Sequence, residues 1–404
     1  MIKTKAIVIL GTFDSKADEH LFIKESLEKR HQSVLTINAG VKGASPFPVD
    51  YDLFVEMKKK GDIDPDSRDK AIAAMISRAR ERVADLYAQG AISGIISAGG
   101  GSGTHLCTRV MHTLPLGVPK VMVSTVASRN MAKIVGTKDI TMMHSVVDLL
   151  GVNSVTGKVL DQAAAAVWGM TQGQWRAKTE SKRIALTFFG FITPAAENIK
   201  KNLEASGYEV IAFHANGTGG MAMQELAAEG HFHGILDLAT HELADALMDG
   251  YCGGIGPERF GPIPATPIPR LVVPGGMDCA VLEFTRDSVP EQYSDRKIFY
   301  YDFRSAIRLS VKESLLLAKQ LAEKLNTDTD HVHLLIPTRG FSHADQEGAP
   351  LHEPSTGRVL IETLKEHLDS RIDVKEIDLH INDPAFATHA AAMMDKLVRG
   401  SEGG

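Results

Sequence analysis

Short unbroken apolar runs alternate along this chain with longer stretches in which apolar residues stand singly on a polar background. The first kind predicts buried strands, the second amphipathic helices. Ala6–Leu10 reads as a strand, Lys16–Arg30 (apolar at Leu21, Ile23 and Leu27) as a helix, and Ser33–Asn38 as the next strand. A polar connection holding Pro46, Pro48 and Gly61 leads into Asp66–Gln89, a long amphipathic helix stopped by Gly90. Further strands are predicted at Gly94–Ser97, Lys120–Ser124 and Lys133–Val135, and an alanine-rich helix at Leu160–Gly169.

The alternation restarts after Thr171–Gln174 and the charged run Arg176–Arg183. Strand Arg183–Phe189, a turn over Gly190–Thr193 and a helix opened by Pro194 come first. Strand Glu209–Phe213, helix Met221–Glu229, strand Gly234–Leu238 and a helix from Glu242 follow. A Pro/Gly-rich segment, Gly253–Pro269, precedes strand Arg270–Val273. Helix Ser305–Leu325, strand Val332–Pro337, helix Gly357–Leu368, strand Ile372–Ile377 and helix Pro384–Val398 complete the series. This pattern predicts an α/β protein of two Rossmann-like, doubly wound domains with mainly parallel sheets, loosely duplicated in structure. The domains span 1–175 and 182–399, and 400–404 is expected to be a flexible tail.

Bulk composition excludes several classes. The 404 residues allow two or three domains, and 44% hydrophobic with 23% charged residues is ordinary for a soluble globular protein. A net charge of −6 argues against a general nucleic-acid or anionic-membrane binder. The apolar run in Met1–Leu10 is too short for a signal segment, and no stretch approaches the ~20 apolar residues of a membrane span. Cys107, Cys252 and Cys279 lie far apart, which fits a reducing compartment and neither a disulfide framework nor a thiolate zinc site. His231/His233 and His331/His333 lack carboxylates at ligand spacing, so the histidines announce no metal centre. The expectation is a cytoplasmic protein with no nucleic-acid or membrane partner.

Candidate chemistry sits in glycine-rich turns where strands hand over to helices. Glycine lets backbone approach a ligand, and a helix start offers unpaired N–H groups to an anion. Gly99-Gly100-Gly101-Ser102-Gly103-Thr104 is the strongest such turn, and Gly11-Thr12-Phe13-Asp14-Ser15-Lys16 a second. The first is not a Walker A loop, and Thr104 stands where a nucleophile elbow around Ser102 needs glycine. A tight structural turn is the alternative reading of the first, and capping of the next helix by Asp14 or Ser15 that of the second. Asn216-Gly217-Thr218-Gly219-Gly220 opens a formal GxGxxA with Asp237 20 residues beyond Gly217, as a dinucleotide site requires. Against that, His214, Ala215 and Asn216 separate strand from first glycine. His241 is a candidate general acid/base with Glu242 or Asp245 as partner, or these residues merely start a helix. Asp278 follows a third glycine turn, Gly275-Gly276, and Arg304 is a candidate anion clamp at the start of a long helix.

Taken in order, several motifs resemble the Tm-one-like ATP-binding family, which includes the N-terminal region of the tomato mosaic virus resistance protein and stand-alone bacterial relatives. They are Gly11–Lys16, Gly99–Thr104, Thr137–Asp139 with Ser145–Asp148, Phe189–Pro194, Phe213–Met221, Gly275–Asp278 and Ile381–Ala387. The resemblance spans essentially the whole chain. It implies two Rossmann-like domains facing a cleft, ATP with Mg2+, and self-association into a homo-oligomer. It also implies a functional partner resembling a phosphoenolpyruvate-handling barrel enzyme. The family pattern has Thr at Ser15, carries the loop serine one place before Ser102, and reads Arg-Thr-Thr where Arg304-Ser305-Ala306 stands.

On this reading the phosphates lie against Gly99–Thr104, with Gly11, Thr12, Ser15, Lys16 and Thr137 alongside and Asp14 or Asp139 holding the metal. Asn216–Gly220, His241, Asp278 and Arg304 bind a second, small acidic substrate, with catalytic candidates His241, Glu242 and Asp278. Phosphoryl transfer is then the simplest chemistry. A non-enzymatic nucleotide or metabolite sensor, and a lyase or hydrolase of a carbonyl acid without ATP, are the alternatives.

Overall fold

The structure, a computed structural model, describes residues 5–61, 67–175, 181–264 and 267–401. The chain divides into two compact units, Met1–Arg176 and Ala177–Gly404. Most of the charged run at the expected boundary, the start of the helix expected from Asp66, and most of the expected tail lie outside the described residues.

The first unit holds β1 (Ala6–Gly11), β2 (Val34–Asn38), β3 (Tyr51–Asp52), β4 (Ile92–Gly99), β5 (Lys120–Ser124) and β6 (Ile140–His144). Its helices are α1 (Ala17–Lys29), α2 (Leu53–Lys60), α3 (Arg68–Ala88), α4 (Gly101–Met111), α5 (Ala132–Val135) and α6 (Thr156–Thr171). All six strands are parallel, in the order β3-β2-β1-β4-β5-β6. Alternation along β1 sends Val8 and Leu10 to the face covered by α2, α3 and α4. Ile7 and Ile9 go to the face covered by α1 and α6. Burial on both faces is what an unbroken apolar run encodes. Each such side chain contributes about 1.5–3 kcal/mol.

The second unit continues with β7 (Arg183–Phe188), β8 (Glu209–His214), β9 (Gly234–Ala239), β10 (Arg270–Gly275), β11 (Cys279–Leu282), β12 (Ile298–Tyr300), β13 (Ser305–Arg308), β14 (Val332–Pro337) and β15 (Asp373–Ile377). Helices α7 (Thr193–Ala205), α8 (Gly219–Ala228), α9 (Glu242–Leu247), α10 (Val311–Leu325), α11 (Pro354–His367) and α12 (Pro384–Gly400) cover them. A parallel sheet runs β15-β14-β10-β9-β7-β8, and a small antiparallel sheet runs β11-β13-β12. α7 and α12 pack on one face of the large sheet. α10 and α11 close a core that also takes in the small sheet.

Several predicted elements change. Lys133–Val135 lies in the single helical turn α5, closed by Gly136 at φ 57°, and the strand comes later, at β6. The polar connection before α3 contains β3 and α2. Ser305–Arg308 is strand, and α10 starts only after Ser310, whose side chain and that of Glu313 form a capping box. Arg304 therefore sits ahead of a strand, not at a helix start. The two sheets also differ in topology. Counted within each six-stranded sheet, the strand orders are 3-2-1-4-5-6 and 2-1-3-4-5-6, so the expected duplication is one of architecture only. The order reverses between β1 and β4 in the first unit and between β7 and β9 in the second. Ligands of open α/β sheets bind at such points, beyond the carboxyl ends of the strands.

Candidate functional site

At the first reversal point a cavity of about 300 Å3 is lined by Thr12, Asp14, Ser15 and Lys16 after β1, Val41 and Lys42 after β2, and Gly100–Gly103 after β4. Arg68, Ile72 and Leu106 complete the wall. The first N–H groups of α4 have no partner within the helix and belong to this wall. Gly101 is open on its Cβ side, whereas a Cβ at Gly99 would lie 3.1 Å from Gly103 Cα. Gly99 thus serves the tightness of the turn, and Gly101 leaves room in the cavity.

The turn after β1 is held from three sides. Thr12 O accepts from Ser15 N–H (3.1 Å) and Lys16 N–H (2.9 Å), and Ser15 Oγ donates to Thr12 Oγ1 at 3.2 Å. Asn38, buried at the end of β2, accepts from Phe13 N–H at 3.1 Å and Gly40 N–H at 2.9 Å through Oδ1. His20 is buried on the other side. Its Nδ1 is 2.6 Å from Lys16 O and its Nε2 accepts from Ala98 N–H at 3.3 Å, so the proton sits on Nδ1. Burial depresses its pKa to about 4, which keeps the ring neutral. A Cβ at Gly11 would lie 2.0 Å from His20 Nε2, so the strand end is glycine because the imidazole is there.

Not every expected residue reaches this cavity. Asp14 lines it but already accepts from Lys42 N–H at 2.7 Å. The Lys16 ammonium donates to Leu149 O. Thr104 is buried, its hydroxyl 2.7 Å from Ser124 Oγ. Thr137 and Asp139 precede β6 at the amino edge of the sheet. Ile140 pairs with Lys120, whereas Gly99 pairs with Ser124, roughly 13 Å further along the strands. Asp139 there accepts from Lys120 Nζ at 2.6 Å and Gly117 N–H at 2.9 Å. The structure does not bring these two residues to the glycine loop.

In the second unit the Asn216–Gly220 turn packs on a buried ion cluster. Arg259 donates to both oxygens of Asp237 at 2.6 and 2.7 Å and to Glu242 at 2.8 Å, and Glu242 also accepts from Gly217 N–H at 2.8 Å. A Cβ at Gly220 would lie 2.4 Å from Arg259 Nε, and one at Gly219 1.9 Å from His214 O. These glycines are explained by packing. Asp237 is fully buried in its bidentate pair, so it is not placed to meet a ribose, and the dinucleotide reading of this turn is withdrawn. Asn216 and Thr218 stay exposed. Glu242 is bound to Arg259, not to His241.

His241 follows β9 and is stacked on Phe189, which follows β7, with ring centroids 3.7 Å apart. Burial lowers its pKa to about 3. Asp278 is buried, accepts from Ser342 Oγ at 2.8 Å and has its pKa raised by burial. Beside it Arg308 meets Asp345 at 2.8 Å, and burial pushes the Asp345 carboxyl up to about 7. Asp345, His352 and His380 line a cavity of about 410 Å3 beyond β14 and β15. Arg304 pairs with Asp302 at 2.7 Å, within about 5 Å of the rings of Tyr251, Tyr301 and Phe303. Arg259, His20, Arg308 and Asp345 carry no motif in the sequence; their roles arise from partners distant along the chain.

Residues 5–176 match the N-terminal domain of an uncharacterised protein family, UPF0261, and residues 181–398 match its C-terminal domain. A UPF0261 protein of Clostridium tetani is 36% identical, covering 98% of both chains, and one of Rhizobium meliloti is 33% identical, covering 96% of this chain and 98% of its own. The tomato ToMV susceptible protein tm-1(GCR26) is 31% identical over 94% of this chain, which spans 54% of that protein. Among solved structures, a UDP-N-acetylglucosamine 2-epimerase from Rickettsia bellii aligns at a TM-score of 0.26 and 11% identity over 61% of this chain and 77% of its own. That likeness is too low to carry an argument. No helix among the described residues is long and apolar enough to cross a membrane.

Proposed function

The chain belongs to the UPF0261 family, and on that premise we propose that its first unit binds a phosphate-bearing ligand, a nucleotide of the ATP type with Mg2+. One observation carries this reading: the β1 turn and the glycine-rich start of α4 meet around one cavity at the point where strand order reverses. The first N–H groups of α4, with Thr12 and Ser15, donate to phosphate oxygens, and Lys42 and Arg68 supply charge. Lys16, engaged with Leu149 O, fixes the turn and adds to the field. Asp14, which lines the cavity, is the carboxylate proposed to hold a water-bound Mg2+, and Asp139, paired with Lys120, is left out of that role.

An ATP-dependent enzyme acting on a small acidic metabolite and a nucleotide sensor share this binding step, and substrate-dependent turnover separates them. Cytoplasmic location, and a partner of the phosphoenolpyruvate-handling kind, belong to the same proposal. Self-association is supported by the segment after β6, where Val146, Val147, Leu150, Val152 and Val155 are exposed, Leu150 at 87%.

The test is thermal unfolding with Mg-ATP, NAD and small carboxylates. At ~100 times its dissociation constant a ligand of the folded state adds about 2.7 kcal/mol. Stabilisation by Mg-ATP that Arg68→Ala weakens supports the reading. Stabilisation by NAD or a carboxylate alone overturns it.

A further inference from the structure

His241, Asp245 and Cys252 offer a nitrogen, a carboxylate oxygen and a sulfur that all lie within 4.8 Å of one another, and all three residues are buried. His241 precedes α9 and Asp245 stands one helical turn on, so both project to one side. Cys252 arrives on the loop after α9. Gly250 and Gly253 permit that approach, because a Cβ at 250 would lie 3.0 Å from Asp245 Cα and one at 253 would lie 2.8 Å from Asp245 C and O. Cys252 N–H and Val281 N–H each donate to Asp245 at 2.8 Å, which fixes the carboxylate while leaving it lone pairs for a cation.

His241 supplies an independent sign. Its ring is buried, yet neither Nδ1 nor Nε2 has a hydrogen-bond partner among the described residues. A buried polar group left this way destabilises the fold unless a ligand satisfies it. Imidazole, thiolate and carboxylate together make the donor set of a borderline-soft divalent cation.

We propose that His241, Asp245 and Cys252 form a binding site for a zinc-class divalent cation beyond the carboxyl end of β9. The site lies in the second unit and does not rest on the nucleotide reading. Bonds of about 2.0–2.3 Å in a tetrahedron set donors about 3.3–3.8 Å apart. The three side chains therefore close on the ion by about 1 Å. Cys252 gives up its thiol proton to solvent, Asp245 binds as carboxylate and His241 stays neutral, so the two negative ligands balance the cation. Three protein ligands leave a fourth position open to water or a substrate oxygen.

The experiment strips the full-length protein with a chelator and titrates it with Co2+, reading the near-ultraviolet thiolate-to-cobalt charge-transfer band. One equivalent per chain is expected, with the band lost in Cys252→Ser and in Asp245→Asn and kept in Cys107→Ser. No band, or one that survives Cys252→Ser, overturns the site. Because the variants disturb a packed region, Zn2+ protection of the wild-type cysteines from alkylation is read alongside by peptide mass. Selective protection of Cys252 supports the site; equal labelling with and without Zn2+ overturns it.

Discussion

The buried imidazole of His20 accepts a hydrogen bond from the backbone N–H of Ala98 at 3.3 Å, tying the helix that follows β1 to the strand that ends in the glycine loop. Both walls of the first-unit cavity are registered through this one neutral ring.

Its neutrality predicts a pH dependence. The folded pKa is near 4 against 6.5 for a free imidazole, so the unfolded chain binds the extra proton between those values. Stability from this group is full above pH 6.5, falls as pH drops through the window and is gone below pH 4. The loss is at most about 3.4 kcal/mol, at 1.36 kcal/mol per unit. Urea unfolding at steps from pH 7 to 4 should show a shallower decline in His20→Gln; an unchanged slope would assign the decline to other groups.

Gly99 and Gly101 should separate fold from ligand. Gly99→Ala drives a Cβ against the Gly103 backbone at 3.1 Å and is expected to cost about 1–3 kcal/mol. A Cβ at Gly101 meets nothing within 4 Å, so Gly101→Val is expected to keep stability within ~0.5 kcal/mol while its methyls occupy cavity space. Calorimetric titration with Mg-ATP should then show at least tenfold weaker binding for Gly101→Val. Wild-type affinity in that variant would place the ligand elsewhere.

Arg259 sits at 0% exposure between Asp237 and Glu242. Arg259→Met leaves two buried carboxylates without their cation and is expected to cost about 3–5 kcal/mol. Denaturant midpoints of the two proteins measure it. A loss under 1 kcal/mol would mean that water or a neighbour replaces the guanidinium.

Ser310→Ala should cost about 1 kcal/mol, because Glu313 N–H loses its acceptor, the Ser310 hydroxyl at 3.3 Å, while the bond from the backbone N–H of residue 310 to the Glu313 carboxylate remains. Thermal unfolding checks this, and Ser310→Asp should restore most of the loss.

Legibility follows range. Ile7–Leu10 is readable as a strand because burial on both faces demands an unbroken apolar run. Ser305–Arg308 is not, since its apolar residues blend into those of α10 and only the Ser310–Glu313 pair marks the helix start. Gly99–Thr104 is legible because glycine is the local requirement of a close turn. Asp139 misleads because sequence order does not say which end of a strand a residue occupies. Asp237, Glu242 and Arg259, like His241, Asp245 and Cys252, come together through a loop whose path no periodicity encodes.

The pairing of β1 with β4 has a consequence for how the first unit assembles. Ile7 finds Gly94 and Val8 finds Ile95, partners that the chain supplies only after β2, β3 and three helices have been made. Such distant closure is slow, because the entropy of the intervening loop is lost before any contact rewards it. The first-unit cavity therefore has no existence before β1 and β4 pair, and its two walls appear together. Binding at this cavity during refolding should accordingly lag behind helix formation and coincide with β1–β4 closure, making the bound ligand a reporter of that long-range step.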